Sequence, residues 1–246
     1  MAKTIKISNG VKIGGLQKLT LIDYPGTLAC TVFLSGCNFR CPWCYSSELV
    51  LPEKIAQQPI LEEKDFFEFL KQRKCQLDGV VVCGGEPTIN SDLPRFLQRI
   101  KKFGYKIKLD TNGSNPQMLE SVLKQKLVDY IAMDIKAPRE KYSQVIGFEG
   151  SSGDYLLSLL QKSIDLLKKN IIDYEFRTTF VPGLLDKQDI LAIAQWLKPA
   201  KRYFLQNFRP EKTLNPSFSS RNSYSMEEAA VFFRSIAPFF EVVQVR

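Results

Sequence analysis

The sequence predicts an α/β fold: an incomplete, laterally open (β/α)6 TIM-like barrel with a short N-terminal extension. Three observations predict it. Apolar strand-like runs alternate six times with helix-like segments along the chain, and such alternation builds a parallel sheet covered by helices. The chain has 246 residues, and six units plus a terminal strand fall short of the eight in a closed barrel, which typically takes about 250 residues. Polar or charged residues recur at the carboxyl end of all six strands, where parallel α/β folds build their sites.

The elements follow in order. Residues 1–15 alternate apolar positions (Ile5, Ile7, Val11, Ile13) and end in Gly14-Gly15, the pattern of a short edge hairpin. Leu19 to Gly26 is an apolar run closed by a Pro-Gly turn. Leu28–Leu34 reads as the first buried strand. Residues 62–72 read as a helix with Phe66, Phe67, Phe69 and Leu70 on one side, and Gly79–Cys83 as a fully buried strand. Helices at 91–103 and 116–127 alternate with strands at Tyr105–Leu109 and Tyr130–Ile135. Residues 154–169 carry apolar residues at helical spacing, with Asp154 as N-cap. Then come strand Tyr174–Val181, helix 187–198 and strand Tyr203–Asn207. Lys212–Asn222 is the longest loop, Ser225 caps a helix at Met226–Ile236, and Phe239–Val245 is a last strand. A single domain is expected: extension 1–20, barrel core 27–210, and a loop, helix and strand in 211–246.

The first strand runs into Cys37-Asn38-Phe39-Arg40-Cys41-Pro42-Trp43-Cys44. Three thiolates from one loop can converge on a soft metal centre. A four-iron cluster normally takes four Cys ligands, so three would leave one iron open to a substrate. A structural zinc site would want four ligands, and the chain has no histidine to supply one. A disulfide would strand one crowded thiol. Three structural thiols would explain the count but not the spacing.

The other strand ends carry chemistry of their own. Strand 2 ends in Gly84-Gly85-Glu86-Pro87, whose glycines let the backbone approach a ligand, with Glu86 holding the turn or assisting the contact. An ordinary turn is the competing reading. Strand 3 ends in Asp110-Thr111-Asn112-Gly113, and strand 4 in Met133-Asp134-Ile135-Lys136. Asp134 and Lys136 are two apart and point to the same side of a strand. They are a ligand site or a buried ion pair. Arg177 on strand 5 could hold a carboxylate by a two-point contact, and strand 6 ends in Gln206-Asn207-Phe208-Arg209-Pro210.

Composition bounds the function. Hydrophobic residues make up 44% of the chain, enough for a sizeable core. Without histidine, a Ser-His-Asp triad, a Cys-His dyad, an HExxH zinc site and a histidine base are all excluded. The net charge of +8 comes from scattered Lys and Arg, so a solvated basic surface is favoured over a nucleic-acid face. An acidic protein could dock on it, more weakly as salt rises. The N-terminus shows no signal-peptide design, and no stretch reaches the ~18 uninterrupted apolar residues of a membrane span. A cytoplasmic protein with no membrane partner is expected.

Ile22-Asp23-Tyr24-Pro25-Gly26, Gly36-Cys37 to Cys44, Gly84-Gly85-Glu86-Pro87-Thr88, Asp110-Thr111-Asn112-Gly113 and Met133-Asp134-Ile135-Lys136 occur in this order. Together they resemble the radical S-adenosylmethionine (SAM) superfamily. Within it, the chain is similar to activating proteins of glycyl-radical enzymes, above all that of anaerobic ribonucleoside-triphosphate reductase. The resemblance implies the radical SAM type of partial barrel. It implies a [4Fe–4S] cluster on Cys37, Cys41 and Cys44, with SAM chelating the open iron. Gly84, Gly85 and Glu86 would contact the SAM amino end, Trp43 would lie near the adenine, Thr111 and Asn112 would face the ribose or carboxylate, and Lys136 would neutralise the carboxylate. A monovalent cation would sit at Asp110, Thr111, Asp134 and the Ala132 carbonyl, as in the pyruvate formate-lyase activator. Reduced flavodoxin or ferredoxin would supply an electron, SAM would split to methionine and a 5′-deoxyadenosyl radical, and that radical would take a hydrogen from a glycine of the partner. Two positions depart from the pattern: Tyr45, where many activators carry His, and Gln206-Asn207, where the formate-lyase activator has a His. Cys30, Cys75 and Cys83 lack ferredoxin spacing, so no second cluster is expected. The competing classes are a radical SAM enzyme acting on a small molecule or RNA, and a plain iron–sulfur electron carrier.

Overall fold

The structure is a computed structural model and describes residues 10–147 and 153–246. Its centre is one sheet of eight strands in sequence order: β1 (Ile13–Thr20), β2 (Ala29–Leu34), β3 (Gly79–Gly84), β4 (Lys106–Thr111), β5 (Tyr130–Asp134), β6 (Asp173–Phe180), β7 (Ala200–Asn207) and β8 (Phe240–Val245). β2 to β8 are parallel, and β1 runs antiparallel to β2. β1 and β8 form the two edges and do not pair, so the barrel stays open between them. The six expected units and the terminal strand are all present, and the fold class is as the sequence predicts.

The N-terminal expectation needs correction. Residues 1–9 of the expected hairpin lie outside the described residues, and the first strand is Ile13–Thr20, paired with β2 rather than with a preceding segment. Gly14-Gly15 lie inside this strand instead of ending a hairpin. A Cβ at Gly14 would strike a Leu49 methyl and the Ser35 hydroxyl, so a larger residue there would have to push both side chains aside.

Helices Glu63–Gln72, Leu93–Lys102, Pro116–Lys124, Gly153–Lys168, Lys187–Leu197 and Met226–Ile236 cover the outer face of the sheet. Local chemistry starts several of them. Asn115 accepts from the Met118 N–H, with Pro116 following it. Asp186 and Ser225 each form a capping box, with Asp189 and Glu228. Ser225 thus caps its helix as expected, whereas the helix expected at Asp154 already begins at Gly153 and places Asp154 in its first turn. Short helices at Ser47–Val50, Pro52–Ile55 and Tyr142–Val145 have too few residues for a readable period.

The outward strand residues Val80, Val82, Ile107, Leu109, Ile131, Met133 and Phe176 are fully buried under the helices. Phe66 stacks on Phe96 at 5.5 Å to join two of those helices. The inward side differs from a continuously apolar core. β3 is apolar on both sides, but β4 (Lys106, Lys108, Asp110) and β6 (Asp173, Glu175, Arg177) place charges at every second position. The lumen is therefore polar. At the amino ends of the strands, the end opposite the cysteine loop, lies a cavity of about 480 Å³ lined by Tyr24, Lys106, Asp129, Asp173 and Arg246. The β1–β2 connection beside it leaves Leu21 and Ile22 largely exposed.

Candidate active site

The cysteine loop leaves β2 at the carboxyl ends of the strands, is braced from within and is held from three directions. The Arg40 Nη1 donates to the carbonyls of Cys37 (2.7 Å) and Phe39 (2.8 Å). The Arg40 N–H donates to the Ile146 carbonyl at 2.9 Å. The Asn38 Nδ2 donates to the Ser114 hydroxyl (2.8 Å), and the Asn38 Oδ1 accepts from the Asn112 Nδ2 (2.9 Å), which ties the loop to the end of β4. From the C-terminal side, the Asn215 N–H donates to the Pro42 carbonyl at 2.8 Å. Arg40 was not a candidate from sequence; only its position inside the cysteine spacing could have marked it.

Cys37, Cys41 and Cys44 are free thiols on this loop. The Cys44 N–H donates to the Cys41 carbonyl (3.0 Å) and the Phe39 N–H to the Cys37 sulfur (3.4 Å). Burial pushes the Cys37 thiol up to about 11 and the Cys41 thiol up to about 12, and it also raises Cys44. Bare thiolates are therefore disfavoured here, and a bound metal would have to displace the protons and supply the missing positive charge. Among the described residues, no three His, Cys, Asp or Glu side chains gather closely enough for a single metal ion. A four-iron cluster makes a different demand, because each thiolate meets a different iron. Three desolvated thiols on one pinned loop fit that group. Trp43 is 3% exposed and belongs to the same hydrophobic core as Cys41.

The β3 turn meets this loop directly. Gly84 has φ of +116°, and a Cβ there would strike the Leu34 backbone. A Cβ on Gly85 would collide with the Gly36 carbonyl. The two glycines are thus required by the close approach of β3 to the end of β2, a role the sequence pattern did not distinguish from ligand approach. Glu86 is 1% exposed and fully used inside the protein. Its Oε1 accepts from the Thr88 N–H (3.0 Å), the Thr88 hydroxyl (2.5 Å) and the Thr111 hydroxyl (2.7 Å), and its Oε2 from the Asn112 N–H (2.6 Å). Burial raises its pKa, and these donors oppose the rise. Glu86 staples the β3 turn to the end of β4.

The charged residues on β4 to β6 form one network. The Arg177 Nε donates to the Asp134 Oδ1 (2.8 Å), and its Nη1 donates to the Asp110 Oδ2 (2.9 Å). The Lys136 Nζ donates to the Asp134 Oδ2 (3.1 Å), and the Lys108 Nζ to the Asp110 Oδ1. Burial would raise Asp134, but the Arg177 and Lys136 charges outweigh it and hold the carboxyl well below its ordinary range. Burial would likewise lower Lys136 and Arg177, and their aspartate partners keep both firmly charged. Arg177 does make a two-point carboxylate contact, but with two aspartates of its own chain. Lys136 lies close enough to Cys41 for its charge to favour the thiolate. Lys108, 1% exposed, was missed because an alternating Lys in a strand reads as a solvent-facing position.

The side chains expected to hold a monovalent cation are also engaged. The Thr111 hydroxyl donates to Glu86 and accepts from the Gly113 N–H (3.0 Å). All four oxygens of Asp110 and Asp134 have cationic partners. These side chains do not fit an alkali ion as they stand. The two departures have structural roles. The Tyr45 hydroxyl accepts from the Arg209 N–H (2.8 Å), and the Asn207 Nδ2 donates to the Tyr224 carbonyl (2.8 Å).

Comparison with known proteins agrees with this geometry. Residues 31–197 match the family model described as the radical SAM superfamily. A protein of Methanocaldococcus jannaschii, provisionally named a glycyl-radical enzyme activating enzyme, is 35% identical over 84% of this chain and 83% of its own length. A 7-carboxy-7-deazaguanine synthase of Neisseria meningitidis is 31% identical over 46% of this chain and 45% of its own. A radical SAM methyltransferase from Sphaerobacter thermophilus has the same fold, with a TM-score of 0.68 and 14% identity over 93% of this chain and 68% of its own. No helix among the described residues is long and apolar enough to cross a membrane. A partial barrel with three thiols on the loop after its first parallel strand, matched over two thirds of its length by one family model, places the chain in the radical SAM superfamily.

Proposed function

We propose that the chain is a radical SAM activating enzyme that generates a glycyl radical on a partner protein, anaerobic ribonucleoside-triphosphate reductase. The observation that carries the activase reading is the similarity to the M. jannaschii relative, which spans most of both chains. The open edge between β1 and β8 supports it, because a barrel left unclosed there gives a protein loop a way to the lumen. The choice of reductase follows from the Ile22–Gly26 and Gln206–Pro210 stretches.

In this reading Cys37, Cys41 and Cys44 hold a [4Fe–4S] cluster. When bound, the cluster and SAM supply the electron and the radical. The chain supplies orientation and charge. Lys136, held charged by Asp134, faces the SAM carboxylate, and Arg177 holds Asp110 and Asp134 in place behind it. Asn112 positions the cysteine loop through Asn38, Trp43 walls the adenine side, and Thr111 acts with Glu86 to shape the turn below. Gly84 and Gly85 bring their backbone against the loop. The electron donor is a reduced flavodoxin or ferredoxin in the cytoplasm, docked on the basic surface.

A second reading, a radical SAM enzyme acting on a small molecule, is favoured by the partial match to the deazaguanine synthase. Anaerobic incubation of the reconstituted, reduced protein with SAM separates the two. 5′-Deoxyadenosine formation stimulated by the reductase supports the activase, and stimulation by a small molecule alone supports the alternative.

A further inference from the structure

Asp110 is the last but one residue of β4 and Asp134 the last of β5, on neighbouring strands, and both face the lumen. Two carboxylates so placed repel each other unless a cation lies between them. Arg177, paired in register with Asp134 across β5 and β6, fills that place with one guanidinium. It reaches Asp134 at 2.8 Å and Asp110 at 2.9 Å. Lys108 and Lys136 take the two outer oxygens. The network thus holds three cations and two anions within one chain, and no carboxylate oxygen is left without a cationic donor.

We infer that the cofactor pocket carries its own counter-ion, the Arg177 guanidinium, and binds SAM without an alkali cation, an inference that rests on the reading of this pocket as a SAM site. An alkali ion would need carboxylate oxygens that already have partners. To enter between the aspartates it would have to displace a tethered group that never loses its charge. Its other expected side-chain ligand, the Thr111 hydroxyl, is held by Glu86 and Gly113. The net positive balance also serves the cofactor. Arg177 uses two of its N–H groups on the aspartates, and a guanidinium has five. Lys136 uses one donor on Asp134. Both side chains therefore keep N–H groups for a carboxylate arriving above the network.

The test compares monovalent cations. SAM affinity of the reconstituted protein is measured calorimetrically in buffers whose only monovalent cation is potassium, sodium or tetramethylammonium, the last too large for the pocket. Affinities should agree within about twofold, and a loss of about tenfold in tetramethylammonium would overturn the inference. The variant R177M removes the bridge and should gain a response, with potassium raising its affinity about fivefold or more over tetramethylammonium. A folded R177M that ignores potassium would count against Arg177 as the counter-ion. If R177M does not fold, the wild-type comparison still decides. If SAM binds in no salt, the cofactor reading fails instead, and thallium-205 NMR of the metal-free chain decides this point separately. No saturable thallium shift is expected, and a saturable shift abolished by Asp134→Asn would overturn the inference.

Discussion

Asn38, in the cysteine loop, and Asn112, at the end of β4, are joined by a 2.9 Å hydrogen bond from the Asn112 Nδ2 to the Asn38 Oδ1. The contact spans 74 residues of sequence and fixes the loop to the part of the barrel that carries the charge network. Replacing Asn112 by Ala should cost about 1–3 kcal/mol in urea unfolding of the metal-free protein, because Asn38 is left with an unpaired acceptor. A double-mutant cycle with Asn38→Ala should give a coupling of about 0.5–3 kcal/mol. Independent effects of the two changes would show that the loop is positioned by its other anchors alone.

The cluster ligands are tested by iron and sulfide analysis of six single mutants after anaerobic reconstitution. Cys37→Ala, Cys41→Ala and Cys44→Ala should each lose the brown colour and most of the iron. Cys30→Ala, Cys75→Ala and Cys83→Ala should keep both, since Cys30 is buried under the sheet and Cys75 is on the surface. Full iron content in Cys41→Ala would remove the loop from the account.

Glu86 should matter before any cofactor binds. Gln at this position keeps the shape but turns one acceptor into a donor, facing N–H groups of Thr88 or Asn112 that already donate. Glu86→Gln should lower the stability of the metal-free protein by about 1–3 kcal/mol. Unchanged stability together with weakened SAM binding would return Glu86 to the role of a ligand contact.

The protein should lose stability at alkaline pH. Cys30 is fully buried on the outer face of β2, and burial pushes its thiol up to about 12. Burial also raises Tyr142 and Tyr203. A group with a raised folded pKa keeps its proton in the native state while the unfolded chain loses it. Stability is therefore full below the unfolded value of 9.0 for Cys30 and falls as pH rises from there towards about 12. Cys30→Ala should flatten the slope of unfolding free energy against pH by up to about 1.4 kcal/mol per unit in that window. An identical slope in the mutant would show that Cys30 ionises freely in the native state.

Much of this architecture was legible in sequence because its determinants are local. The helix at Met226–Ile236 announces itself through Ser225 and Glu228, and β3 through Gly79-Val80-Val81-Val82. Asp134 and Lys136 could be placed on one side of a strand by their spacing alone. What stayed hidden depends on contacts between distant segments. Arg177 lies 67 residues from Asp110 and Glu86 lies 25 from Thr111, so a two-residue period marks the side chain but not its partner. The glycines of Gly84-Gly85 pointed to a close approach, but only the fold shows that Leu34 and Gly36 are what approaches. β1 is hard to place from sequence because the alternation over Ile5–Ile13 is stronger than the pattern over Ile13–Thr20.

The most direct measurement mixes the reconstituted, reduced protein and SAM anaerobically with the ribonucleotide reductase of the same cell and records the EPR spectrum. A glycyl-radical doublet is expected that disappears when the reductase glycine is changed to alanine. No doublet, alongside 5′-deoxyadenosine formation stimulated by a small molecule or by tRNA, would contradict it.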